Sequence, residues 1–187
     1  MTAWWIALAG PALIGLWLAL TFNALVRARN LVREGWSGID VQLRRRHDLV
    51  PNLVETVRAY AAHEAEALAR VTALRGSGTG AGGGAVAQAA RLEGELGLAL
   101  GRLLAVAEAY PQLKADANFR QLSEQLGAVE DELQMARRYY NGAVRRLNVA
   151  VESFPSNLAA RLFGFGAAEF FETRDEAVRA APRVRLD

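Results

Sequence analysis

The chain has 187 residues, 52% of them hydrophobic and 22% charged, with a formal net charge of +2 and no cysteine. That length accommodates one domain with its own core beside an anchor, and the near-balanced charge gives no electrostatic reason to expect nucleic acid as a partner. Without cysteine, disulfide staples and a lipoprotein cysteine are excluded.

The first feature met along the chain is an apolar run from Ala3 to Phe22, followed at once by Arg27, Arg29 and Arg33. A hydrocarbon core about 30 Å thick needs ~20 apolar helical residues to cross it, and this run is that long. Trp4 and Trp5 suit the headgroup boundary, and Pro11 falls where a membrane helix tolerates a lost hydrogen bond. Nothing basic precedes the run except the amino terminus, and Thr21-Phe22-Asn23 is no small-residue cleavage pattern, so the sequence reads as an uncleaved anchor over residues 1–22. The bilayer is then contacted through residues 3–22. The arginines on its carboxyl side place the rest of the chain in the cytoplasm, as a single-pass protein of the cell (inner) membrane.

Residues 23–171 read as helix throughout. Between Asn23 and Arg75, Trp36, Leu43, Val50, Val54, Val57, Ala61, Leu68 and Val71 fall on or near one helical face. Pro51 interrupts that stretch and is expected to kink or break the helix just before it. A Gly-rich run over 76–84 reads as a flexible linker; it joins two helical patterns and lacks the Lys-Ser/Thr that would follow a phosphate-cradling loop. A second stripe passes through Leu92, Leu96, Ala99, Leu103, Val106 and Tyr110 to Pro111, with Gly94, Gly97 and Gly101 inside it. Those glycines mark either a close helix approach or a loosely held helix.

The clearest periodicity is a heptad seam of Phe119, Leu122, Leu126, Val129, Leu133, Ala136, Tyr140, Ala143, Leu147 and Ala150. Asn118 and Gln121 have capping-box spacing at its start, and Pro155 marks its stop. Phe154, Leu158, Leu162, Phe163, Phe165, Phe170 and Phe171 follow, set either to plug an open bundle end or to touch membrane or partner, and residues 172–187 form a polar tail. Such amphipathic helices cannot hide their stripes alone. The expected fold is all-α: one N-terminal transmembrane helix, then an antiparallel bundle of three to four long, coiled-coil-like helices.

No constellation in this pattern carries recognised chemistry. His47 and His63 are preceded three residues earlier by Arg44 and Tyr60, so the E-x-x-H di-iron motif is missing, as is H-E-x-x-H. The serines sit in no nucleophile elbow. The carboxylate groups Glu93 with Glu95, and Glu130 with Asp131 and Glu132, read as solvated helix faces. Neither catalytic residue nor metal or cofactor ligand is assigned. One polar stripe is left: Asp40, Arg44, His47 and Asp48, with Asp40 and His47 on the inward face and Arg137, Arg138 and Asn141, beside Tyr139 and Tyr140, as candidate partners. It reads as a buried network fixing helix register, with a ligand site as the alternative.

The block Arg29-Asn30-Leu31-Val32-Arg33-Glu34-Gly35-Trp36-Ser37-Gly38-Ile39-Asp40-Val41-Gln42-Leu43-Arg44-Arg45-Arg46-His47-Asp48-Leu49-Val50-Pro51-Asn52-Leu53-Val54 resembles the signature of the LemA family. So do Ala109-Tyr110-Pro111-Gln112-Leu113-Lys114-Ala115, Ala136-Arg137-Arg138-Tyr139-Tyr140-Asn141 and Ser153-Phe154-Pro155. Gly35 stands where alanine is more usual in that pattern. The resemblance implies a bacterial single-span membrane protein with a helical-bundle body, and it supplies no activity to carry over residue by residue. Two expectations follow: an interaction or scaffold protein with an unidentified protein partner or its own copies, or a small-ligand binder or enzyme using Asp40, His47 and Arg138.

Overall fold

The computed structural model describes residues 2–61, 63–75 and 85–172. The linker over 76–84 and nearly all of the tail expected at 172–187 lie outside the described residues. The fold is all-α, with no strand among the described residues. The described residues form six helices in order: α1 (Thr2–Tyr60), α2 (Ala65–Arg75), α3 (Ala85–Ala109), α4 (Pro111–Ala115), α5 (Ala117–Glu152) and α6 (Ser156–Leu162). The chain divides into two compact units, one built from the chain up to Asp40 with Gln134–Phe170, the other from Val41–Leu133 with Phe171.

In the first of these units, α1 and α5 run antiparallel. Gly35 lies against Tyr140, and Gly38 three residues on lies nearest Ala136 four residues back. The approach at Gly35 is close: a β-carbon there would sit 2.9 Å from the Tyr140 Cα and 3.2 Å from a Tyr139 ring carbon. Glycine is what lets these two backbones meet. The Trp36 and Tyr140 rings then stack edge-on at 5.8 Å. Leu25, Ala159, Ala160 and Phe165 form this unit's apolar core, with Trp17, Leu18, Val26, Ala150 and Val151 packed on it.

After α6 the chain turns back sharply. Gly164 has φ of 69°, the Phe165 N–H donates to the Ala160 carbonyl at 2.9 Å, and the Gly164 N–H donates to Arg161 at 3.4 Å. This is the paired C-terminal bonding that a left-handed glycine permits. Phe165 is thereby returned onto Ala160 in the core. The following segment is tied to α5: Asn148 exchanges two bonds with the Ala168 backbone at 2.8 and 3.0 Å, and the Tyr140 hydroxyl donates to the Glu169 carbonyl at 2.8 Å.

The second unit has the larger core. Val50, Leu53, Val54, Val57 and Ala61 from the end of α1 meet Leu68 and Val71 of α2, Leu96, Ala99, Leu100, Leu103 and Ala107 of α3, Leu113 of α4, and Phe119 and Leu126 of α5. Fully burying one such leucine or valine is worth about 1.5–3 kcal/mol. The expected break at Pro51 does not occur, for α1 runs on to Tyr60. Proline deprives the His47 carbonyl of its helical donor, at a cost of ~3 kcal/mol. The stripe from Val50 to Ala61 buries enough apolar surface on the same turns to carry the helix through. The interruption falls instead at residues 61–64, where Ala61 is fully buried and the Glu64 carbonyl accepts the Leu68 N–H that opens α2. No proline or glycine lies between Tyr60 and Ala65, and α2 packs on α3.

The start of α5 also differs from the sequence reading. Its cap is Asp116, not Asn118: the Asp116 carboxylate accepts the Phe119 N–H at 2.9 Å, satisfying one of the orphan donors of the first turn. The heptad seam itself lies inward, with Phe119, Leu126, Val129, Leu133, Tyr140, Ala143 and Leu147 all buried. Of the α3 glycines, a β-carbon at Gly101 would meet nothing within 4 Å, and one at Gly97 would meet the Arg46 guanidinium at 3.4 Å, so neither of these two marks a close helix approach.

Candidate functional site

Inside the second unit, α1 places Arg46 and His47 on consecutive positions facing α3 and α5. His47 Nε2 lies 2.7 Å from Glu93 Oε1, with the imidazole as donor and the carboxylate as acceptor. Arg46 reaches the other Glu93 oxygen at 3.6 Å and Glu130 at 3.1 Å. Glu93 is only 2% exposed, Arg46 8% and His47 9%, so these three members are buried, while the Glu130 side chain, 39% exposed, opens the cluster to solvent at one end. One guanidinium thus serves two carboxylates, and the imidazole bond shares the load at Glu93. A carboxylate this deep is tolerated only when paired.

His47 is therefore inward, as its place on the stripe implies, but its partner is Glu93 and not Arg137, Arg138 or Asn141. Helical rise separates Asp40 from His47 by about 10 Å along α1, too far for direct pairing. Asp40 is half-buried and Arg138 exposed, both in the other unit, while Arg44 and Asp48 are exposed. Sequence reasoning missed Glu93, Arg46 and Glu130. Glu93 shares the buried face of α3 with Ala89, Leu96, Leu100 and Leu103, spaced by threes and fours, and that register is the signal that separates it from exposed Glu95. Glu95 has only the exposed Arg91, at 4.0 Å.

A second polar place in this unit is open to solvent. Asn52, Glu55, Thr56 and Tyr60 of α1 and Asn118, Gln121 and Gln125 of α5 line a cleft of about 610 Å³ with Asp116. The Tyr60 hydroxyl donates to Asp116 at 3.1 Å across it. The Phe119 N–H bond holds the Asp116 carboxyl below its ordinary value of 3.8, and the Asp116 carboxylate beside it pushes the Tyr60 phenol above its ordinary 10.0. Neither Asp40, His47 nor Arg138 lines this cleft. Among the described residues no group of three or more histidines, aspartates or glutamates is placed to hold a metal ion.

The phenylalanine-rich segment divides. Phe165 and Phe171 are buried, whereas Phe154 is 80% exposed, Leu162 68%, Leu158 54% and Phe163 45%. Phe22 stacks edge-on against Phe163 at 4.9 Å and Phe165 at 5.8 Å, and the Arg29 guanidinium lies 4.9 Å from the Phe165 ring centre. Of these aromatic and aliphatic side chains, Phe165 and Phe171 are thus the ones that turn inward. Further back along α1, Leu13, Ile14, Leu16 and Leu20 are 58–66% exposed, on a helix long and apolar enough to cross a membrane.

The family model described as the LemA family matches residues 35–186. Among curated relatives, the magnetosome proteins MamQ 2 and MamQ 1 of Paramagnetospirillum magneticum are each 27% identical over 181 residues. The magnetosome protein MamQ of Magnetospirillum gryphiswaldense is 25% identical over the same length. Each match takes in 84% of this chain and 66% of the relative, so the chain spans just under two thirds of those proteins.

Proposed function

The chain belongs to the LemA family, and we propose that it serves as a membrane-anchored helical-bundle interaction module at the bacterial cell membrane, without catalysis of its own. The observation that carries this reading is the bare apolar surface of α1 at Leu13, Ile14, Leu16 and Leu20, which no other part of the described chain covers. A soluble helix with that surface would pay for it in water; a bilayer removes the cost. The arginines at 27, 29 and 33 favour the bundle on the cytoplasmic side.

The alternative, a ligand site or enzyme on Asp40, His47 and Arg138, is less well supported. His47 is enclosed and bonded to Glu93, and the open cleft is lined by other residues. The charge cluster instead joins α1, α3 and α5 in one register, the role best attested for buried ionic groups. The partner of the module is another protein or a second copy of this chain. Unbiased crosslinking in native membranes, followed by pull-down of the full chain, is expected to return one recurrent protein or a homo-oligomer band. Recovery of the monomer alone would refute the interaction role.

A further inference from the structure

α6 and the residues around it present apolar surface where a soluble protein would present charge. Phe154, Leu158, Leu162 and Phe163 are 45–80% exposed, and Leu158 and Leu162, one turn apart, form a ridge on α6. Through Ala159 and Ala160, α6 shares a buried cluster with Leu25 of α1 and with Phe165, and Trp17 and Leu18 of α1 pack on that same cluster. Trp17 and Leu18 belong to the apolar run, and Phe22, at its end, stacks on Phe163 at 4.9 Å. The exposed ridge is thus fastened directly to the last turns of the anchor.

This continuity decides what covers the ridge. Trp17 precedes Phe22 by about 7 Å of helical rise, so an element packed on both lies within one or two turns of the membrane exit. Apolar side chains at that depth seat ~5–10 Å into the boundary between headgroups and acyl chains. Exposed Arg161 on α6, with exposed Arg27, Arg29 and Arg33 on α1, flanks the ridge with the charge that anionic headgroups attract.

We propose that Phe154, Leu158, Leu162 and Phe163 form a lipid-facing wedge, seated in the bilayer interface beside the exit of α1. The wedge gives the chain a second membrane contact, formed far along the sequence from the anchor, and it rests on the reading of α1 as membrane-spanning. It also accounts for the sharp return at Gly164, which sends Phe165 inward while Leu162 and Phe163 stay outward.

The absence of native cysteine makes the test direct. Full chains carrying Leu158→Cys, Leu162→Cys, Leu13→Cys or Glu124→Cys, each at an exposed position, are labelled with an environment-sensitive fluorophore. They are then reconstituted in phosphatidylcholine–phosphatidylglycerol vesicles containing nitroxide lipids that quench near the headgroup or deep in the bilayer. The wedge predicts that labels at 158 and 162 are quenched several-fold more than the label at 124, most strongly by the shallow quencher, while the label at 13 responds to the deep one. Quenching at 13 with 158 and 162 matching 124 would overturn the wedge and leave the anchor standing. No quenching at 13 would overturn both.

Discussion

With Glu93 replaced by alanine, His47 loses the acceptor of its 2.7 Å bond and Arg46 keeps only Glu130. Stranding the buried imidazole without an acceptor and removing one of the two carboxylates on Arg46 should cost ~1–3 kcal/mol. His47→Ala removes one bond but leaves Glu93 with Arg46, and a loss of about 1–3 kcal/mol is expected. The double variant should lose less than the sum, because the bond between them can be lost only once. Arg138→Ala, at an exposed position, should stay within ~0.5 kcal/mol of the parent. Denaturation of the detergent-solubilised chain measures all four. Additive losses at His47 and Glu93 would contradict the pairing. Gly35→Ala belongs to the same scale: its methyl would meet the Tyr140 Cα at 2.9 Å, so α1 and α5 must part. Overpacking of this kind costs about 1–3 kcal/mol. Asp116 adds a pH dependence. Its carboxyl is held below 3.8 when folded, so its stabilising contribution is present above that value and lost as pH falls through the depressed one. Asp116→Asn keeps the cap without titrating, so the stability advantage of the parent over this variant should shrink as pH is lowered from about 5 to about 2.

At the scale of elements, the seam of α5 should dominate. Leu133 is fully buried and Leu126 nearly so, and truncation of either to alanine should cost ~2–5 kcal/mol. Met135, 49% exposed two residues along the same helix, should tolerate alanine with a loss within ~0.5 kcal/mol. Equal sensitivity at Leu133 and Met135 would mean the inward face is misplaced. This face was legible in the sequence because its apolar positions repeat by threes and fours over ten residues of one unbroken helix. The end of α1 was not. Pro51 carries the strongest local breaking signal, yet the Val50–Ala61 stripe overrides it, and the end of α1 at Tyr60 falls where neither proline nor glycine announces it. Glu93 was hidden for a related reason: a carboxylate next to Glu95 looks solvated until the register of α3 is fixed by Leu96, Leu100 and Leu103. Composition likewise could not divide the aromatic cluster, since whether Phe165 turns inward and Phe154 outward depends on the turn at Gly164.

Over the whole molecule, an apolar helix at residues 9–22, a largely buried charge cluster in the second unit and the LemA family match over residues 35–186 belong to one chain. If the arginines after Phe22 set the orientation, a reporter active only outside the cytoplasm should be silent when fused after Asp187; activity there would reverse the sidedness. The most direct test is flotation of the full chain with phosphatidylcholine–phosphatidylglycerol vesicles in high salt and then at alkaline pH, beside a Leu13→Arg, Leu16→Arg variant. An arginine at the centre of a span costs ~2.5–3.5 kcal/mol, so two should release most of the chain. The account predicts that the parent floats with the lipid under both conditions while the variant stays largely in the dense fractions. A parent that remains with the soluble fraction would contradict it.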